Sequence, residues 1–193
     1  LMKKLGTAAR DLYRPDSKEE IPVDDLAVDT ALKDGDMVSL GNETIQAIEA
    51  KGHTDCSMAY ALEPDGILFT SESTGIVEAG LAINTPILKS FADAMTSLEK
   101  CRGYGAKYIC LPHFGLIPQD FNEEYWMQFQ QGCEDRIQMV REMKKEGLDA
   151  DQMLERYRDR YWDPIMEQEQ PIEAFLINAK NIIKAALRAL DEK

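Results

Sequence analysis

The sequence lacks any long apolar run. None of its 193 residues belongs to a stretch approaching the roughly 20 consecutive apolar residues that cross a bilayer. The opening segment LMKKLGTAARDLY also lacks the apolar core of a signal peptide. Because 44% of the residues are hydrophobic and 30% are charged, the composition is that of a globular domain and not of a disordered tail. We therefore expect a cytoplasmic protein without a membrane partner.

Basic side chains are also few. Lysine and arginine number 22 against 35 aspartates and glutamates, which gives a formal net charge of −13. Both halves of the chain, divided after Pro118, are acidic. A protein that binds the phosphates of nucleic acid or of an anionic membrane needs a basic face, and the sequence has no cluster of lysine and arginine of that size. We therefore expect no nucleic acid partner.

Cysteine pairs with metal-binding or redox spacing are absent. The four cysteines, Cys56, Cys101, Cys110 and Cys133, include no C-x-x-C pair. Two of them stand in apolar or helix-end settings, Cys110 within YICL and Cys101 at the end of a predicted helix. The pattern predicts reduced and mostly buried thiols, as is usual in the cytoplasm.

Alternating apolar and polar residues predict strands in the first half of the chain, after a helix over residues 1–14. One β-hairpin is expected in residues 34–50 around the turn Gly41-Asn42, and a second one around the turn EPDG at residues 63–66. The apolar run YICL at residues 108–111 predicts a further strand. Between the hairpins and this strand, Thr85-Pro86 predicts the start of a helix that Gly103 and Gly105 end.

The residues after position 118 predict helices only. Asn122 is interpreted as the cap of a helix that Gly147 ends, with Phe121 and Trp126 at the spacing of a hydrophobic staple. Residues 149–152 have the pattern of a capping box, and the helix that follows should run to about residue 162. Pro171 opens a third helix whose apolar side chains share one stripe. The sequence thus predicts an α/β region over residues 1–118 and a helical C-terminal extension over residues 119–193 that packs on it.

Histidine is the scarcest candidate for chemistry, since the chain has only two. His53 and His113 each follow an apolar strand, and Glu72 follows the strand ILFT in the same way. Because side chains at the carboxyl ends of strands point into a shared crevice in α/β proteins, these three residues form a plausible partial metal shell. The alternative is that the histidines are hydrogen-bonded structural residues and that Glu72 is a solvated loop carboxylate or a helix cap.

The run from Gly35 to Ser73 resembles the metallo-β-lactamase superfamily of metal-dependent hydrolases. Residues 52–54, Gly-His-Thr, match a turn of that family, and LFTSE at residues 68–72 resembles its phrase LFTGD. ICLPH at residues 109–113 resembles the strand that delivers a later metal-binding histidine. The resemblance covers residues 34–113, residues 1–14 are similar to the helix that precedes this region, and the helical tail matches only in kind.

The resemblance implies a metal site, but the chain lacks some of the family's metal ligands. His53 would ligate the first metal ion, Glu72 would bridge two ions and His113 would ligate the second. Glu72 is one methylene longer than the family's aspartate, so the site would need a shifted backbone, a different metal spacing or a single ion. The family's H-x-H-x-D-H signature is absent from the chain. Zinc is the first expectation for the metal, with iron or manganese as alternatives, and the chain alone should bind it weakly and be inactive.

The absence of the H-x-H-x-D-H segment also affects the expected fold. The expected architecture is a partial αββα sandwich, made of the second sheet and its flanking helices, with an all-helical C-terminal extension. The chain would then be the C-terminal part of a longer enzyme. An uncovered sheet face would need a missing N-terminal segment, a second copy in a homo-oligomer or a rearranged segment.

The reaction implied by the resemblance is hydrolysis. Two divalent ions lower the pKa of a shared water, and the resulting metal-bound hydroxide attacks an electrophile that one ion polarises. A small ester, thioester or lactone is the expected substrate, and Phe114, beside His113, is the aromatic residue expected to line the site. The aromatic residues of the helical tail are expected mainly in the core. Two alternatives stay open, a non-catalytic effector or interaction module of the same fold, and a fragment without independent function.

Overall fold

The structure, a computed structural model, describes residue 7, residues 10–18, 28–163, 165, 167 and 170–191. Residues 7 and 10–13 are helical, in agreement with the predicted N-terminal helix. Residue 14, the last of the predicted helix, is not helical, and residues 1–6, 8 and 9 lie outside the described residues. Both predicted hairpins and the predicted strand YICL are confirmed.

The described residues form eight strands in two sheets. They are β1 (Met37–Ser39), β2 (Thr44–Glu49), β3 (Met58–Glu63), β4 (Ile67–Phe69), β5 (Ile76–Val77), β6 (Ile83–Asn84), β7 (Tyr108–Leu111) and β8 (Gly115–Leu116). The main sheet has the order β1-β2-β3-β4-β7-β8, and β5 and β6 pair separately. Among these strands, only β4 and β7 pair in parallel. Strands β2, β4 and β7 therefore run in the same direction, and their carboxyl ends meet at one edge of the sheet.

Long helices cover one face of this sheet. They are α1 (Phe91–Gly103), α2 (Asn122–Lys145), α3 (Ala150–Tyr161) and α4 (Ile172–Asp191). Helix α1 lies in the crossover between the parallel strands β4 and β7, as such a connection requires. One cluster of buried side chains extends from Ala61 and Leu68 in the sheet through Phe129 of α2 to Ile183 of α4. The helices after residue 121 thus share a core with the sheet.

The start of α1 differs from its prediction. Thr85 and Pro86 do not open the helix, because the Pro86 carbonyl accepts a hydrogen bond from His53. The backbone amides of Lys89 and Ser90 both donate to the Gly52 carbonyl, which holds this segment against the loop that carries His53. The helix begins five residues after Pro86, at Phe91, where the Ser90 hydroxyl caps it by accepting from the Asp93 amide.

The predicted cap of α2 is also wrong. Asn122 is the first helical residue, and a short 3₁₀ turn over Gln119–Phe121 precedes it. Its side-chain amide donates to the carbonyls of Ala106 and Lys107 instead, and so ties α2 to the segment between α1 and β7. The downstream signals are confirmed: α2 ends just before Gly147, which has a φ of 75°, and α3 begins with the predicted capping box.

The two faces of the main sheet differ in how far the helices bury them. On the inner face, Ala61, Leu68 and Ile109 form a row across β3, β4 and β7 and are fully buried by the helices. The outer face is also apolar but less covered. Two rows of partly or well exposed side chains cross it, Ile45, Leu62, Ile67 and Tyr108 in one and Tyr60, Phe69, Cys110 and Leu116 in the other.

All four cysteines are free, with Cys101 and Cys133 buried, Cys110 partly buried and Cys56 exposed. No helix among the residues that the structure describes is long and apolar enough to span a bilayer.

Candidate functional site

The first predicted site residue, His53, is held on both sides by hydrogen bonds. Its Nδ1 lies 2.6 Å from the Pro86 carbonyl, and its backbone amide donates to the Ser73 hydroxyl. Because a carbonyl oxygen only accepts, Nδ1 carries the hydrogen. In a neutral imidazole this leaves the lone pair of Nε2 free, which is the tautomer that a metal-ligating histidine adopts. The side chain is 17% exposed.

Glu72 lies between the two histidines. It begins a 3₁₀ turn over Glu72–Thr74 that the Ser71 hydroxyl caps by accepting from the Ser73 amide. One carboxylate oxygen is 3.4 Å from His53 Nε2, and the other is 3.3 Å from His113 Nε2. The turn is anchored from below, because the buried Tyr125 hydroxyl lies 2.8 Å from the Thr74 carbonyl and 2.9 Å from its hydroxyl.

His113 lies in the turn between β7 and β8. Its φ of 65° places it in the left-handed region, which histidine tolerates better than most residues but less well than glycine. Its side chain is 67% exposed, and Glu72 is its hydrogen-bond partner. The three predicted site residues are thus brought together as expected, at the carboxyl ends of β2, β4 and β7.

These side chains make only a partial fit to a metal ion. Imidazole nitrogens and a carboxylate are suitable donors, and the protonation of His53 Nδ1 suits ligation through Nε2. Among the described residues, however, no group of three or more histidine, cysteine, aspartate or glutamate side chains is arranged to hold one. Glu72 contacts each histidine through a different oxygen, so the two close approaches do not converge on one point.

A cavity of about 610 Å³ adjoins the histidine and glutamate cluster. Glu72, His113 and Pro86 lie along part of its wall, β5, β6 and the loop residue Glu78 line another part, and the long helices contribute as well. The helical part of the wall combines aromatic and polar side chains: Tyr157, Tyr161, Phe175, Asn178 and Arg136. A space of this size, whose wall mixes polar and apolar side chains, can hold a small organic molecule.

Arg136 is the functional candidate that the sequence analysis missed. It is 6% exposed and lines the cavity from α2. Its guanidinium donates to the Tyr157 hydroxyl, the Gly132 carbonyl and the Asn84 side-chain oxygen, and it stacks on the Tyr161 ring. The signal was present in the sequence, because position 136 falls on the stripe of α2 that Phe129, Cys133 and Val140 fill with buried side chains.

Electrostatics keep the aromatic partner of Arg136 neutral. Burial raises the pKa of Tyr157, although the neighbouring Arg136 opposes the shift. The Tyr157 phenol therefore remains protonated at neutral pH, and its hydroxyl can donate while it accepts from the guanidinium.

Phe114 is 49% exposed and is not among the described residues of the cavity wall, so its contact with substrate stays a prediction. The aromatic residues of the helical tail fall into two groups, core residues and residues that also line the cavity. Trp126 and Phe129 are core residues, whereas Tyr157, Tyr161 and Phe175 also line the cavity.

Solved structures share this architecture. A metallo-beta-lactamase family protein from Thermus thermophilus aligns with 98% of this chain and 64% of its own, at a TM-score of 0.62 and 16% identity. The fold is metallo-beta-lactamase-like. An archaeal metallo-beta-lactamase superfamily protein from Sulfolobus tokodaii aligns with 65% of this chain and 50% of its own, at a TM-score of 0.50 and 20% identity. No protein-family profile matches the sequence.

The metallo-beta-lactamase-like fold is therefore shown at the level of architecture: a mixed sheet, helices on one face and helices at the C-terminal end. This chain spans between one half and two thirds of the length of the two structures that it matches.

Proposed function

We propose that this chain supplies part of the metal centre and much of the substrate cavity of a metal-dependent hydrolase that acts on a small ester, thioester or lactone. The observation that carries the proposal is the position of Glu72, which lies within 3.4 Å of both imidazoles and lines a cavity of about 610 Å³. Zinc is the proposed metal, with iron or manganese as alternatives. The similarity to metallo-beta-lactamase-like structures supports the same assignment through the fold alone.

His53, Glu72 and His113 are the proposed ligands in this chain. When bound, the metal would lower the pKa of a water molecule and polarise the electrophile. The protein holds the donors for it: Pro86 fixes the ring of His53, and the capped turn fixes Glu72. The cavity beside them would orient the substrate and exclude bulk water from the reacting end.

The remaining ligands are proposed to come from outside the 193 residues. Two observations support this. The described residues lack a group of three donors, and the chain covers only 50% and 64% of the two matched structures. The two apolar rows on the outer face of the main sheet offer a surface on which a completing segment or a second copy would pack.

The same outer face favours a second candidate function, a non-catalytic interaction module. Its side chains Leu62, Tyr60 and Phe69 lie on adjacent strands and are not fully buried. Under this alternative His53 and His113 would hold the loops around Glu72 through hydrogen bonds, and a protein partner would cover the sheet.

A zinc titration of the full chain tests the choice. Calorimetry with ZnCl₂ should detect binding that weakens by about tenfold or more in His53→Ala and in His113→Ala. Glu72→Gln, which keeps the shape of the side chain but removes its charge, should also weaken zinc binding. Glu99→Gln, an exposed carboxylate of α1, is the matched control and should bind zinc like the native chain.

Equal zinc affinity in the native chain and both histidine variants would refute the ligand assignment. A native chain that binds no zinc would favour the interaction module. In a protein that also supplies the remaining ligands, hydrolysis of p-nitrophenyl acetate, phenyl thioacetate and γ-butyrolactone would separate the three substrate classes.

A further inference from the structure

The guanidinium of Arg136 is an unusual charge. It is 6% exposed, and among the described residues it donates hydrogen bonds to neutral groups: a phenol, a backbone carbonyl and an amide oxygen. Within the part of the chain that the structure describes, no carboxylate forms an ion pair with it. A buried cation is ordinarily paired with an anion, because removal from water is costly for an isolated charge.

The guanidinium also has donors to spare. Arginine carries five N–H groups, and one on each of Nε, Nη1 and Nη2 donates to the protein. Each terminal nitrogen therefore retains one N–H without an acceptor among the described residues. The Tyr157 hydroxyl, which accepts from Nε, has a hydrogen that is likewise not committed to a described acceptor.

These donors belong to the wall of the same cavity that Glu72 and His113 line. Around them, Tyr161 stacks on the guanidinium at 4.5 Å from its ring centroid, and Phe175 packs against Tyr157. The aromatic surroundings lower the local dielectric constant and so strengthen any charge-assisted hydrogen bond formed there. Glu78 is the nearby negative group: it lines the same cavity, and it accepts from the Asn84 side chain whose oxygen accepts from the guanidinium.

One short segment links this part of the cavity to His53. Asn84 accepts from Arg136, and Pro86, two residues later, accepts from His53. Two residues of chain span at most about 7 Å. The guanidinium and the imidazole are therefore anchored to points that are close along the chain.

We propose that Arg136 and Tyr157 bind a compact anionic group, such as a carboxylate, on the molecule that occupies this cavity. The use of that molecule as a hydrolase substrate rests on the proposed function, whereas its binding does not. In a hydrolase the substrate would be a small ester, thioester or lactone that carries a negative charge away from the bond to be cleaved. The two terminal N–H groups would donate to the anion, and the Tyr157 hydroxyl would add a third donor.

The test compares two probes of nearly the same shape. Phenylacetate carries a carboxylate, and phenylacetamide replaces it with a neutral amide. Calorimetry on the full chain, without added metal, should give a dissociation constant for phenylacetate at least about tenfold lower than that for phenylacetamide. Arg136→Gln should abolish this preference. Arg141→Gln, which removes the same charge from a partly exposed position of α2, should preserve it.

Circular dichroism reports whether Arg136→Gln still folds. If it does not, Tyr157→Phe removes only the hydroxyl and should weaken phenylacetate binding about threefold while leaving phenylacetamide unchanged. Equal affinity of the native chain for the two probes, or binding of neither, overturns the proposal. An unchanged preference in Arg136→Gln, or in Tyr157→Phe where that variant is needed, also overturns it. A failed zinc titration with a positive probe experiment would refute the hydrolase and leave the anion site standing.

Discussion

The two ends of the cavity are built in opposite ways. At the sheet end, His53, Glu72 and His113 stand on loops and a short turn and are partly exposed, and Glu72 contacts both histidines. At the helical end, Arg136 is buried within α2 and donates hydrogen bonds to neutral groups of α3 and β6. The first end is a cluster of groups near solvent, and the second is a single charge enclosed by the core. The proposed metal ligands and the proposed anion-binding group therefore depend on different parts of the fold.

The largest expected effect is a loss of stability at Gly52, beside His53 at the sheet end of the cavity. Gly52, with a φ of 137°, packs so closely on α1 that a Cβ there would lie 2.7 Å from the Ala94 Cβ. Gly52→Ala should lower the free energy of unfolding by about 3 kcal/mol, because strain and overpacking act together. Urea unfolding measures the loss. Gly103→Ala is the control, since that helical glycine has open space around it and should gain about 0.5–1 kcal/mol. Equal stability of the two variants would contradict this packing.

The second largest effect is expected at Tyr125, which connects helix α2 to the turn that carries Glu72. The buried Tyr125 hydroxyl of α2 bonds both oxygens of Thr74 beneath the turn that carries Glu72. Tyr125→Phe should cost about 1–2 kcal/mol, because the single phenolic O–H no longer donates to a buried oxygen of Thr74. Tyr60→Phe, on the outer sheet face, should change stability little. Urea denaturation of both variants measures the loss in the free energy of unfolding. A loss in Tyr125→Phe no larger than that in Tyr60→Phe would contradict the role of Tyr125 in supporting the Glu72 turn.

Alkaline pH should destabilise both halves through buried thiols. Burial raises the pKa of Cys101 and of Cys133 from 9.0 to about 12, with Lys100 and Arg136 respectively opposing the shift. Above pH 9 the unfolded chain therefore binds fewer protons than the folded one, so stability falls as pH rises toward 12. Each thiol should contribute a loss of about 1 kcal/mol between pH 8 and pH 10. Urea unfolding at the two pH values should show a smaller loss in Cys101→Ala and in Cys133→Ala. Identical pH dependence in the native chain and both variants would refute the assignment.

The smallest expected effect is a gain in stability from a substitution at His113. His113 has a φ of 65°, where glycine carries no Cβ penalty. His113→Gly should therefore raise the free energy of unfolding by up to about 1 kcal/mol while weakening zinc binding. His113→Asn is the control, because asparagine also tolerates this conformation and should leave stability nearly unchanged. Thermal unfolding with and without ZnCl₂ measures both effects, and a destabilised His113→Gly would show that the imidazole contributes more to stability than its conformation costs.

The sequence was most informative where local chemistry decides the structure. The capping box at Asp149 and Gln152, the glycine at 147 and the hairpin turns act through neighbouring residues, so their patterns predicted them correctly. The three residues at strand ends were predicted to converge, and they do so because β2, β4 and β7 run in one direction.

Prediction failed where distant contacts override a local preference. Thr85-Pro86 has the pattern of a helix start, but the bonds from this segment to the loop at residues 52 and 53 delay the helix to Phe91. Arg136 was missed because a charged residue on a buried stripe gains meaning only when its neutral partners, Tyr157 and Asn84, are known. Both partners lie more than 20 residues away in sequence.

The outer face of the main sheet has a practical consequence for work with this chain. Its exposed rows, with Phe69 and Leu116 prominent among them, lie on strands that pair in regular register, and both edge strands are only two or three residues long. Short edges discourage strand-by-strand growth into fibres, whereas an apolar face promotes stacking. Purified preparations should consequently aggregate through face-to-face association, reversibly and more strongly at high salt than at low salt, instead of forming amyloid.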